Sequence, residues 1–414
     1  MQIYADNAAT TKMSETALKA MLPFLREYYG NPSSLHAVGQ RAADALDSSR
    51  NAIAGCLGCS PKEIYFTSGG SEADNQAILS AARLGEKAGK KHIISTAFEH
   101  HAVLHTLKKL EEQGFTVELL PVGEQGNITP GQVRDAIRDD TCLVTVMYAN
   151  NEVGSILPIG EIGAVCRERG ILFHTDAVQA VGHLPISVAE QNIDMLSLSA
   201  HKFHGPKGVG ALYVKKGILL TNLIEGGAQE RGRRAGTENV PAIVGMAAAL
   251  KECSAHLEEI SSRVQAMRDK LIAGLSQIPH STLNGDSKHR LPGNVNFSFE
   301  GVDGETLLVL LDSKGICASA GSACTSGSLD PSHVLLALGR PREIANSALR
   351  LTLSDYNTEE EVASIIKEVT AAVECLRDRS PSWKALAAYS SIRPESRCQS
   401  GIRPFPTRRP PPPS

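Results

Sequence analysis

The chain has 414 residues, more than one ordinary core holds and comfortable for two, and 42 % of them are hydrophobic. Its net charge of −3 removes the electrostatic reason to expect nucleic acid, and no apolar run approaches the roughly 20 residues of a membrane span. The opening, Met1–Asp6, lacks the charged and apolar regions of a signal peptide, so cytoplasm is the expected compartment and no membrane partner is expected.

In chain order, short apolar runs alternate with helical patterns. Glu63–Thr67 reads as a strand that ends in Ser68-Gly69-Gly70-Ser71, a turn leading into a helix. Such a turn permits close backbone approach, and the helix N-terminus behind it attracts a phosphate, although turns of this kind are common. Strands follow at His92–Thr96, Thr116–Leu120, Leu143–Met147, Ile171–Thr175, Met195–Leu198 and Gly210–Val214, with helical patterns between most of them, such as 102–113 and 159–169. Near-continuous apolar strands alternating with helices predict an α/β domain with a mostly parallel sheet, in which ligands sit at the carboxyl ends of strands.

A long helical stretch, Val240–Leu275, leads to a smaller α+β domain with Gly293–Phe299, a helix near Thr306–Leu311, and Ala348–Leu353. The expected division is 15–255 for the large domain, with 1–14 and 256–387 forming the small one. Residues 388–414 hold the run Pro410–Pro413, several arginines and few large aliphatics, and read as a disordered tail.

The chemically suggestive residues follow strands. Lys202, in Ser199-Ala200-His201-Lys202, can form an imine with an aldehyde cofactor, and Ser199 and His201 are donors suited to a phosphate. Asp176, after the strand Ile171–Thr175, suits a pyridinium nitrogen that must stay protonated; a helix N-cap is the ordinary use of such an Asp. His100 follows another strand, but with 13 histidines in the chain its spacing alone does not single it out. The nine cysteines show no disulfide rhythm. Cys142 and Cys317 read as core; Cys166, Cys253 and Cys375 lie in helical patterns. Cys56 and Cys59 form an isolated CxxC with no second half to complete a zinc site, and no metal is expected. Cys324 differs: Gly321, Ser322, Ala323, Thr325, Ser326 and Gly327 around it suit a mobile loop rather than a core.

Many segments in the right order carry a resemblance. They are Asp6–Thr11, Gly30–Ser34, Phe66–Gly69, Asn150–Glu152, His174–Gln179, Ala200–Lys202, Arg233–Asn239 and Gly321–Gly327. From about Tyr4 to about Trp383 the chain resembles the cysteine desulfurases of the NifS/IscS group, within the class-V aminotransferase-like, fold-type-I pyridoxal-phosphate enzymes. Arg233–Asn239 and Ser322–Leu329 look more like the nitrogen-fixation NifS branch.

The resemblance implies a homodimer that converts L-cysteine to L-alanine and passes sulfur to an iron–sulfur scaffold or another acceptor, nitrogenase maturation being the narrower case. It makes Lys202 the cofactor lysine, Asp176 the partner of the ring nitrogen and Gln179 that of the ring hydroxyl. His100 stacks on the ring and moves protons. Gly70, Ser71, Ser199 and His201 bind the phosphate, with Thr237 reaching across from the other subunit. Asn151 and Arg350 hold the substrate carboxylate, as a guanidinium does with two parallel bonds. Cys324 is the nucleophile, and it is the residue that would meet a cluster during transfer. Ser71 stands where many members have Thr, and it keeps the hydroxyl. The alternatives are an aminotransferase, which has no use for Cys324, a selenocysteine lyase, and a non-catalytic assembly partner, against which the four residues Lys202, Asp176, His100 and Cys324 together speak.

Overall fold

The computed structural model describes residues 2–320, 330–380 and 383–384. Cys324 with its neighbours, and the tail from 388, lie outside the described residues.

Twelve strands occur in chain order among these residues: β1 Ile3–Tyr4, β2 Ile64–Thr67, β3 His92–Thr96, β4 Thr116–Leu120, β5 Thr141–Thr145, β6 Leu172–Asp176, β7 Met195–Ser199, β8 Gly210–Val214, β9 Ser281–Leu283, β10 Asn294–Phe299, β11 Ile316–Cys317 and β12 Ala348–Thr352. Seven of them form one sheet in the order β2-β8-β7-β6-β5-β3-β4. Neighbours are parallel except where β8 pairs with β2 and β7. The predicted mostly parallel sheet is therefore present, with one antiparallel strand that apolar content does not reveal.

Both faces of this sheet are covered. Ile94, Val144 and Leu196 pack into one core, whereas their chain neighbours Ile93, Leu143 and Met195 pack into another on the opposite face. Alternate side chains of a strand point to opposite faces, so a run buried on both must be apolar throughout. β3, β5 and β7 are buried along their whole length for this reason.

A third core gathers Ile3 and Ala5 with Val264, Leu271, Phe297, Leu351 and Val369 around the three-stranded antiparallel sheet β12-β10-β9. The pair β1–β11 is parallel and joins the N-terminus to the chain just before residue 320. The stretch read as one long helix is two, Val240–Ala255 and Leu257–Leu275, broken at His256. The first packs with the large core through Val240, Ile243 and Leu250, and the second with the third core. Val334, Leu335 and Leu338, far along the chain, also pack in the large core. Several predicted boundaries shift by one or two residues; the most consequential is that Asp176 ends β6 rather than following it.

Candidate active site

The carboxyl ends of β5, β6 and β7 open into a cavity of about 360 Å³. Asp176 is the last residue of β6, and Ser199 is the last of β7, followed by a short 3₁₀ turn, Ala200–Lys202. The helix Gly70–Lys87 begins at the same place, so its first N–H groups and positive dipole end face the cavity. A Cβ built on Gly70 would stand 2.5 Å from Val178 Cγ2, so glycine is required for the helix start to lie against the turn after β6.

This cavity brings together Gly70, Ser71, His100, Asn151, Asp176, Gln179, Ser199, His201, Lys202 and Arg350 from segments far apart in sequence. Of the described residues singled out in the sequence, Thr237 alone is not in the lining; it is exposed. Cys324 is outside the described residues.

The lysine is held from the N-terminal segment. Lys202 Nζ donates to the carbonyl oxygens of Ala8 at 2.6 Å and Ala9 at 2.8 Å. Gln179 Nε2 also donates to Ala8 O, at 3.0 Å, and His201 Nδ1 meets Thr10 Oγ1 at 3.1 Å. Backbone carbonyls of Ala8 and Ala9 have no sequence signature, so this latch was not readable beforehand.

Asp176 is buried, which pushes its carboxyl up to about 6, opposed by the backbone N–H of Val178 and the charge of Lys202. The Val178 N–H donates to Asp176 Oδ1 at 2.9 Å, so the aspartate closes a local turn and begins no helix. The helix-cap alternative therefore fails for Asp176, while His100 does cap a helix, His101–Glu111. Its Nδ1 accepts from the Ala102 N–H at 3.1 Å. A backbone N–H can only donate, so the proton of the neutral ring sits on Nε2. Burial, and then the charge of Lys202, lowers His100 to about 4 and keeps that ring neutral near pH 7.

Arg350, in β12, is 2 % exposed. Its Nη2 donates to Asp6 Oδ1 at 2.9 Å and its Nη1 to the Asn151 carbonyl at 3.1 Å. Three segments thus meet at one guanidinium. The expected Asn151 and Arg350 are joined, but through the Asn151 main chain.

Sequence reasoning missed Asp74, His101 and His333, which also line the cavity. A usable signal existed for Asp74: it lies three residues after Ser71 on the same helix, and that spacing shares a face. His333 gave no such signal. It reaches the site because its Nε2 bonds Glu99 O at 2.9 Å.

The residues fit pyridoxal phosphate. A lysine, a buried carboxylate, a neutral imidazole and a helix N-terminus with adjacent hydroxyls are the donor set that an aldehyde, a pyridinium and a phosphate require. The cradle that a Cβ on Gly70 would fill lies at the helix end. Among the described residues no group of three or more His, Cys, Asp or Glu is arranged to hold a metal ion.

Comparison with known proteins agrees with this geometry. The "Aminotransferase class-V" family profile matches residues 3–365. A protein of Methanosarcina thermophila called "Cysteine desulfurase IscS" is 52 % identical over 379 residues, 92 % of this chain and 94 % of that one. One of the same name from Clostridium botulinum is 50 % identical over 386 residues, 92 % of this chain and 97 % of that one. A solved structure described as a NifS-like protein superimposes with a TM-score of 0.85 at 40 % identity, covering 90 % of this chain and all of the other.

Proposed function

This chain belongs to the class-V aminotransferase family, and on that premise we propose that it is a pyridoxal-phosphate-dependent cysteine desulfurase. It converts L-cysteine to L-alanine and hands the sulfur on through Cys324. The observation that carries the reading is the meeting of Lys202, Asp176, His100 and Arg350 in one cavity of about 360 Å³. The names and 50–52 % identities of the IscS relatives support it.

Pyridoxal phosphate, when bound, supplies an electron sink for the α-carbon of an amino acid. Lys202 would hold its aldehyde carbon, Asp176 its ring nitrogen and Gln179 its ring hydroxyl. Gly70, Ser71, Ser199 and His201 would hold its phosphate. Arg350 binds the substrate carboxylate, its planar fork already oriented by Asp6 and the Asn151 carbonyl. Of the two candidate bases, Lys202 is the better proton acceptor from the α-carbon. The lone pair of His100 Nδ1 is committed to Ala102, so His100 offers a proton at Nε2.

The Cys324 thiolate then forms an S–S bond with the substrate sulfur as the C–S bond breaks. The carbon keeps the electron pair and takes a proton to become alanine, and Cys324 is left as a persulfide. The terminal sulfur passes to an acceptor thiol, for which an iron–sulfur scaffold is the proposed partner; nitrogenase maturation is the narrower case. The proposed compartment is the cytoplasm, and no helix among the described residues is long and apolar enough to cross a membrane.

We propose a homodimer as the working unit, with Thr237 serving the neighbour's phosphate. The exposed apolar residues Leu18, Leu22, Leu25, Tyr29, Leu35 and Val38 form a sequence-continuous stretch suited to such an interface. The test is turnover: the purified holoprotein given L-cysteine should release alanine and, with a thiol reductant, an equal amount of sulfide. Alanine without sulfide, or pyruvate in place of alanine, would contradict the assignment.

A further inference from the structure

Behind Asp176 lies a second carboxyl that the proposed reaction does not use. Asp74, on the helix Gly70–Lys87, is 1 % exposed and lines the same cavity. Its Oδ1 has no hydrogen-bond partner among the described residues. Ser197, from β7, is the hydroxyl beside its side chain.

Three buried carboxyls, Asp74, Asp176 and Glu99, act on one another, and the charge of Lys202 favours ionisation of Asp176. Burial penalises each of these three charges and neighbouring carboxylates raise one another, so protons must be held. The donors decide which carboxyl gives up its charge first. Asp176 has the Val178 N–H and Lys202. Glu99 has Thr96 Oγ1 at 2.5 Å and the Met147 N–H at 3.0 Å, although burial still raises it to about 8. Asp74 has one hydroxyl.

His174, on β6, does not supply the missing charge. Its Nε2 lies 3.7 Å from Asp74 Oδ1, but that nitrogen is 3.0 Å from Ser197 Oγ, and Nδ1 is 2.8 Å from Thr145 Oγ1. The ring is fully buried and pushed down to about 3, so it is neutral and the contact is no ion pair. A neutral ring allows two proton paths, and a protonated Asp74 selects the one in which Asp74 donates to Ser197, Ser197 to His174 Nε2, and His174 Nδ1–H to Thr145.

We propose that Asp74 is a positioning residue that sits in the cofactor pocket as a neutral carboxylic acid, its proton shared with Ser197 and His174, so that Asp176 carries the negative charge offered to the cofactor ring. The proposal rests on the pyridoxal-phosphate reading for its purpose, but the protonation state of Asp74 belongs to the apoprotein. Burial, and next the charge of Asp176, raises the Asp74 carboxyl well above its ordinary 3.8. The folded chain then holds a proton that the unfolded chain releases. Stability falls as pH rises from 3.8 toward the raised value, and Asp176 and Glu99 add slopes of the same sign. Asp74→Asn should flatten that slope.

The test is infrared difference spectroscopy of the apoprotein near neutral pH, wild type minus Asp74→Asn. The Glu99 contribution cancels, and a carboxylic-acid C=O stretch should remain. Ser197→Ala should keep that band and move it to higher frequency, which decides the matter if Asp74→Asn does not fold. In a spectroscopic titration with pyridoxal phosphate, Asp74→Asn should change affinity by less than about tenfold, the equivalent of one pKa unit of charge interaction. No acid band in the difference spectrum, or an affinity change beyond that limit, overturns the proposal. If the wild type itself fails to bind pyridoxal phosphate, the functional reading falls, while the infrared result still decides the state of Asp74.

Discussion

Arg350 shows how a single side chain is fixed by its neighbours. It is among the largest fully buried side chains of the molecule, and its guanidinium is shared between Asp6 and the Asn151 carbonyl. A buried charge without partners is costly, so these contacts also hold the N-terminal segment against β12. Lysine in its place keeps the charge but loses the planar fork. Arg350→Lys should therefore raise KM for L-cysteine by about 10- to 150-fold, the worth of roughly 1.5–3 kcal/mol for a hydrogen bond to a charged group. Steady-state kinetics check this; an unchanged KM would remove Arg350 from substrate binding.

The helix Gly70–Lys87 is the element on which the proposed cofactor binding depends most. Its first residue has no room for a side chain, since the Cβ of Gly70→Ala would press on Val178 Cγ2. Overpacking of this kind costs about 1–3 kcal/mol, and here the helix end must retreat from the cavity. Gly70→Ala should keep its fold and lose pyridoxal phosphate affinity by about 5- to 150-fold, the same energy expressed as binding. Equilibrium titration of the apoprotein measures it; wild-type affinity would mean that the helix start does not touch the cofactor.

At this scale the fold was largely readable, because a sheet covered on both faces leaves its strands as unbroken apolar runs, as in Ile93-Ile94 and Leu143-Val144. Lys202 and Asp176 were readable as candidates because they end or follow such strands. What was not readable depends on contacts distant in sequence. The hold on Lys202 comes from two alanine carbonyls nearly 200 positions earlier. The break at His256 lies inside a pattern that stays helical on both sides. The antiparallel course of β8 is set by how the chain returns, which composition does not record.

For the whole molecule, the question is whether one chain makes a complete site. Thr237 is exposed and absent from the cavity lining of its own chain, although the family resemblance gives it a phosphate contact. Both statements hold together if it serves the neighbour. In a hybrid of a Lys202→Ala chain with a Thr237→Ala chain, one site has both residues and the other has neither. The hybrid should bind one pyridoxal phosphate per dimer with wild-type affinity, measured on hybrids separated by a tag on one chain. Binding no better than in the two parents would place Thr237 outside the site.

The central claim is that sulfur leaves L-cysteine onto Cys324. The measurement is peptide-resolved mass spectrometry of the full-length holoprotein after brief exposure to L-cysteine, with thiols then blocked. One extra sulfur is expected on the peptide containing Cys324, none on that containing Cys317, and none anywhere in Cys324→Ser, which should still bind pyridoxal phosphate. A persulfide on Cys317, or one that survives in Cys324→Ser, would contradict the account.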